Sequence, residues 1–158
     1  MENEDKKIYF SDKALAMMTA AQGKSVEKVI CHLWHNTFDR TATVEIIDNV
    51  ELHFTDGHKL TVACNEQGDG LDIITFDYKR SAVELNKEFE GKIKLLSVNA
   101  SGTTMWEAVI GKQLEKVRVT RREGYHLADS LVLDFGEEKR EISIAPLDGL
   151  IIDYYEED

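Results

Sequence analysis

The chain is poor in the residues that most often announce a function. It holds one proline and two cysteines in 158 residues, and its apolar runs are only a few residues long. Short apolar runs exclude a membrane-spanning helix, and the acidic, polar start MENEDKK does not resemble a signal peptide. A cytoplasmic protein is the expectation. Two cysteines, Cys31 and Cys64, make no disulfide framework, and a chain of this size does not depend on one, so both read as reduced. The single proline, Pro146, falls near a strand end, where it costs little.

Chemical signatures are missing as well. No Gly-x-Ser-x-Gly elbow and no glycine-rich phosphate loop occurs, and GDG at 68–70 reads as a turn before a strand. Asp69, Asp72 and Asp77 lack the every-second-residue spacing and terminal Glu of a calcium loop. No cofactor is implied. Basic side chains are outnumbered, 19 against 30 acidic, for a formal net charge of −11. That field repels phosphate backbones and anionic membranes, which excludes general nucleic-acid binding, and it favours a basic protein partner as well as simple solubility.

What the chain does have is an apolar content of 42%, enough for one core, and a repeated phrase. Residues 23–29 read GKSVEKV and residues 111–117 read GKQLEKV. The flanks repeat in pattern too. Before the first copy, SDKALAMMTAAQ carries an N-cap residue, Ser11, a helical apolar stripe, and Gly23 at the stop; before the second, SGTTMWEAVI ends on Gly111 and reads as a matching short helix. Strands KIYF (7–10) and KIKLLSV (92–98) precede these helices.

After each heptapeptide the period becomes alternating. NVELHF matches SLVLDF at each inward position, with Asp48 and Asp129 ahead of them. KLTVAC (59–64) and REISIA (140–145) follow, then GLDIITF (70–76) and GLIIDYY (149–155). Keeping both Phe54 and Leu60 inward demands an odd hairpin loop centred on Gly57, whereas pairing Phe135 with Ile142 leaves a loop of about four residues around Glu138. The segment 81–91, with Ser81 and Glu84 spaced as a capping box and Gly91 as a stop, reads as a short helix joining the halves.

The fold expected is a single α+β domain over 1–158, internally duplicated and mostly antiparallel, with short helices. Its repeats, about 6–80 and 92–155, would be pseudo-twofold halves sharing one core.

CHLWH at 31–35 invites a metal reading, but a strand separates Cys31 from His35 by roughly 13 Å, and Cys31 aligns with Val119 as a small core residue. His53, Asp56 and His58 cluster about one turn, where a histidine pair and an acid suit metal or acid–base chemistry, but solvated hairpin residues are the favoured reading, since no second ligand cluster lies nearby. The two copies differ most on one strand face. Ile30, His32 and Trp34 stand in the first copy where Arg118, Thr120 and Arg122 stand in the second. Exposed, this face would suit a protein-binding centre; covered by a helix, Trp34 would be core. Lys116, Arg118, Arg121 and Arg122 form the basic stretch, with the acidic tail at 156–158 as its expected partner.

Three functional classes follow. The first is a non-enzymatic, acidic protein-binding module using Ile30, His32, Trp34, Arg118 and Arg122, such as an inhibitor or immunity-type protein for a basic toxin or nuclease. The second is a small-ligand binder with its site between the two repeats. The third is a metal-dependent enzyme using the His53–His58 hairpin.

Overall fold

The computed structural model describes residues 8–36, 44–145 and 149–156. Pro146, the Lys7 end of KIYF and the tail residues Glu157 and Asp158 lie outside them. Helix α1 (Asp12–Ala21) starts where Ser11 Oγ accepts the Ala14 amide at 3.1 Å. It buries Ala14, Met18 and Ala21, one face at helical spacing. Strands β1 (Val26–Asn36), β2 (Val44–Phe54), β3 (Lys59–Cys64) and β4 (Leu71–Ile74) follow as an antiparallel meander. Helix α2 (Tyr78–Glu88) leads to β5 (Ile93–Asn99), which returns to pair antiparallel with β1. The rest of the chain gives β6 (Lys116–Arg118), the two-residue strands β7 (Arg121–Arg122) and β8 (Tyr125–His126), then β9 (Ser130–Asp134), β10 (Lys139–Ala145) and β11 (Gly149–Tyr154). Among the described residues this is an α+β fold built on a nine-stranded, antiparallel sheet, with β7 and β8 forming a small separate ribbon. No described helix is long and apolar enough to cross a membrane.

The sheet closes on itself. Past α1 the backbone turns at Gly23, whose φ of +89° favours a residue without Cβ. The two heptapeptides then run antiparallel, with Ser25 bridging Gln113. Gly23 donates to the Leu114 carbonyl and Gly111 to that of Val26, while the Leu114 and Val26 amides donate to the Lys24 and Lys112 carbonyls. On the far side β2 divides one of its edges. Asn49 to His53 pair with β3, and Ile47 pairs with Leu150 of β11. One main core, including Val29, Leu52, Phe54, Trp106, Leu133 and Ile142, fills the enclosed space.

Several expectations need correction. The second helix, expected before Gly111, is a run of turns with a single 3-10 turn at Glu107–Val109; Gly102 and the β-branched Thr103 and Thr104 disfavour an α-helix there. KIYF contributes an isolated bridge, Tyr9 to Leu127, in place of a strand. The joining helix begins at Tyr78, because Asp77 caps it by accepting the Arg80 amide at 3.1 Å, ahead of the expected cap at Ser81. The first hairpin loop is odd as expected, but Leu60 lies opposite Leu52 and the Phe54 amide meets the His58 carbonyl, so the loop is three residues centred on Asp56. In the second hairpin Ile142 pairs with Leu131, and the Phe135 amide donates to Glu138 across the two-residue turn Gly136–Glu137.

Candidate functional site

The face carrying Ile30, His32 and Trp34 is not the open surface that a protein-binding centre requires. Helix α2 packs against β5 beside it, and Tyr78 Oη donates to the Leu95 carbonyl at 2.9 Å. His32 is only 2% exposed, with Phe76 and Tyr78 rings 4.6 and 5.3 Å from its own. Trp34 is half-buried in a small second core with Leu85, Leu95 and Phe89, and Ile30 is half-buried too. The covering helix, the alternative for this face, is what the structure has.

The arginines are elsewhere. Arg118 on β6 binds Asp134 at 2.6 Å, and Arg122 is exposed on the ribbon opposite Tyr125; the tail residues 157 and 158, the expected partners, lie outside the described residues. The hairpin histidines do not converge on one position either: His53 Nε2 lies 3.2 Å from Glu51, and His58 Nδ1 lies 3.0 Å from Asp56. Cys31 and His35 do lie on one strand, Cys31 buried and His35 beside Glu45. Among the described residues no group of three or more His, Cys, Asp or Glu side chains is placed to hold a metal ion.

The structure instead assembles a site around Asp48. On β1, His32 faces Asn49 and Leu33 faces Ile47, so Asp48 is the extra residue of a β-bulge in β2. A bulge re-aims a side chain that regular alternation would send to the opposite face. Asp48 also sits where the edge of β2 passes from β11 to β3, so the two strands diverge beside it. Their divergence leaves a cleft of about 280 Å³, open to solvent. Trp34, Ile46, Ile47 and Asp48 form its floor side, Cys64 to Gly68 one wall, and Ala145 and Gly149 the other. A second, smaller cleft meets the opposite side of Trp34 and Asp48, against α2.

A hydrogen-bonded chain holds the carboxylate. Asn49 Nδ2 donates to Asp48 Oδ2 at 2.8 Å, and its Oδ1 lies 2.8 Å from His32 Nδ1, which assigns the Nδ1 proton to histidine. Burial pushes the Asp48 carboxyl above the ordinary range, a rise partly offset by the Asn49 bond, the nearby His32 and the Trp34 side-chain bond. Burial, and then the Asp48 charge, raises the Cys64 thiol. A thiol held protonated is a poor nucleophile, so Cys64 is a lining residue and not an attacking group.

Sequence reasoning missed most of it. Asp48 was visible as a repeated position before NVELHF, and NEQGDG as a turn, but neither marks a cleft without the partner strand. Protein-family models, curated proteins and solved structures all give no match to this chain.

Proposed function

We infer that the protein binds a small molecule in the cleft between β3 and β11, at the seam of two copies of one β unit spanning about 6–80 and 92–155. The observation that carries this reading is the composition of the cleft, which draws Ile46 to Asp48 and Cys64 to Gly68 from the first span and Ala145 and Gly149 from the second. Indole and isoleucine side chains beside a few polar groups are the usual lining of a ligand site.

The duplication itself is supported by register. Lys28, Val29 and Ile30 pair with His53, Leu52 and Glu51; Lys116, Val117 and Arg118 pair with Asp134, Leu133 and Val132, the positions that correspond when GKSVEKV is aligned with GKQLEKV and NVELHF with SLVLDF. The contact of Leu150 with Ile47 has its counterpart where the Leu71 amide donates to the Ala128 carbonyl at 2.6 Å.

A thermal-shift screen of small molecules, followed by tryptophan fluorescence, tests the reading. A ligand should raise the unfolding midpoint and quench the emission of Trp34, and replacing Trp34 with Phe should remove the quench, leaving the deeply buried Trp106 as the reporter. Hits that act equally on the Trp34→Phe protein would place binding elsewhere and end this reading. The net charge of −11 supports a second reading, a basic protein partner, whose capture should weaken as salt rises.

A further inference from the structure

We propose that the ligand of the seam cleft is a small organic cation, an amine with an apolar arm, whose ammonium group is met by the Asp48 carboxylate and the indole of Trp34. This rests on the seam-cleft reading and names its ligand class. The decisive feature is the sign of the lining. Carboxylates from Asp48 and Glu66 line the seam cleft, Glu84 and Glu88 line the smaller one behind it, and among the described residues no Lys, Arg or His side chain lines either. Glu84 is occupied by an ion pair to Arg80 at 3.2 Å, on the far side of Trp34 from the seam.

Asp48 is also set for a cation in particular. Asn49 and Trp34, both uncharged, donate to it, and burial outweighs the pull of these bonds and of nearby His32 together, so the carboxylate is oriented while its desolvation is only partly offset. Desolvation raises the free energy of an uncompensated carboxylate, and an arriving ammonium relieves that cost where an anion would add to it. An indole face attracts the same charge, and more strongly in a partly desolvated site. Ile46 and Ile47 offer the apolar arm a surface. The acidic field of the whole chain concentrates cations near the opening.

Three probes of one shape test the class on the full-length protein: phenethylamine, its neutral counterpart phenethyl alcohol, and the anion 3-phenylpropionate, each titrated against Trp34 fluorescence. The amine should bind about 10-fold more tightly than the alcohol, and the anion most weakly. Asp48→Asn should reduce amine affinity about 10-fold while leaving the alcohol within about 2-fold, and Glu66→Gln should give a smaller loss of the same sign. Should Asp48→Asn fail to fold, the ranking of the probes and Glu66→Gln still decide. An alcohol that binds as tightly as the amine, or an amine indifferent to both substitutions, overturns the cation assignment and leaves the seam site standing. Failure of all three probes, with a neutral or anionic screening hit that quenches Trp34, overturns the assignment in the same way. No binding by probes or by any screened compound overturns both.

Discussion

Ser25 and Gln113 face each other across an antiparallel bridge, each the third residue of its heptapeptide. The flanking amides of Val26 and Leu114 make the hydrogen bonds, so the bridge is a non-hydrogen-bonded pair, in which Cα atoms approach to about 4.5 Å. That separation suits a disulfide. The double variant Ser25→Cys, Gln113→Cys should oxidise to a single cross-link closing an 88-residue span (113 minus 25). It should gain about 2–4 kcal/mol in urea unfolding relative to its reduced form. Peptide mapping that finds no bond between the two introduced thiols would contradict the pairing.

Trp34 is half-buried against Phe89, whereas Trp106 is fully buried in the main core. Trp34→Ala should therefore destabilise by about 2–3 kcal/mol and Trp106→Ala by about 3–5 kcal/mol. A loss below about 1 kcal/mol at Trp34 would restore it as a free surface residue and reopen the protein-binding reading.

The cysteines should differ in reactivity. Burial pushes the Cys31 thiol up to about 11, and the side chain is enclosed by the core, while Cys64 lines the open cleft. A thiol reagent on the native protein should modify Cys64 first, and an occupied cleft should slow that reaction without changing Cys31. Faster labelling of Cys31 would contradict the packing of β1.

Asp48 gives a pH signature. Its carboxyl is raised in the folded state, so the group favours folding below the usual carboxylate range and loses that contribution as pH rises through its folded value. Around neutral pH the wild type holds a desolvated charge faced by His32, Asn49, Trp34 and Cys64, with Glu66, Glu84 and Glu88 on the surrounding cleft walls. Asp48→Asn should then be at least as stable as wild type near pH 7, and wild type should gain on the variant as pH falls toward 4. Urea unfolding across that range measures it. A variant that loses stability only above pH 6 would reverse the sign.

Arg140 is a buried cation, 2% exposed, on β10. Its Nε donates to the Met105 carbonyl at 2.7 Å and its terminal nitrogens to Lys139 and Glu138, while the guanidinium lies 4.5 Å from the centre of the Tyr154 ring. Arg140→Met keeps an unbranched apolar stem but takes the guanidinium donor from the Met105 carbonyl and the ion-pair partner from Glu138, and should cost about 2–4 kcal/mol. Arg140→Lys should recover little of it, since an ammonium cannot reproduce the planar fork. Thermal unfolding of the two variants checks both.

The strands were legible because alternation survives in single residues. Leu52, Phe54, Leu131, Leu133 and Phe135 are all buried as their pattern required. The turn before Gly111 was less so, since Met105, Trp106 and Val109 pack against the core at nearly helical spacing while Thr103 bonds back to Ala100. The covered face was half legible: a helix could be read at 81–91, close to the observed Tyr78–Glu88, but nothing in a linear sequence says that β5 brings it over His32. A site between the repeats could be supposed, but the lining of the cleft was not legible. It depends on one extra residue in β2, Asp48, which breaks the alternation, and on Gly149, which lies 101 positions further on (149 minus 48).

Gly149 enters β11 with φ +80°, and a Cβ there would lie 2.5 Å from the Ile47 carbonyl oxygen. The far wall of the cleft therefore forms only when a late segment of the chain docks on an early one. Pairings of such long range are slow to form, because the intervening loop must close before any contact rewards it. Until β11 arrives, the Ile47 end of β2 is a bare strand edge, open to pairing with another chain. A ligand that requires both walls would act on this last step, trapping the closed sheet and draining the pool of chains whose edge is still exposed.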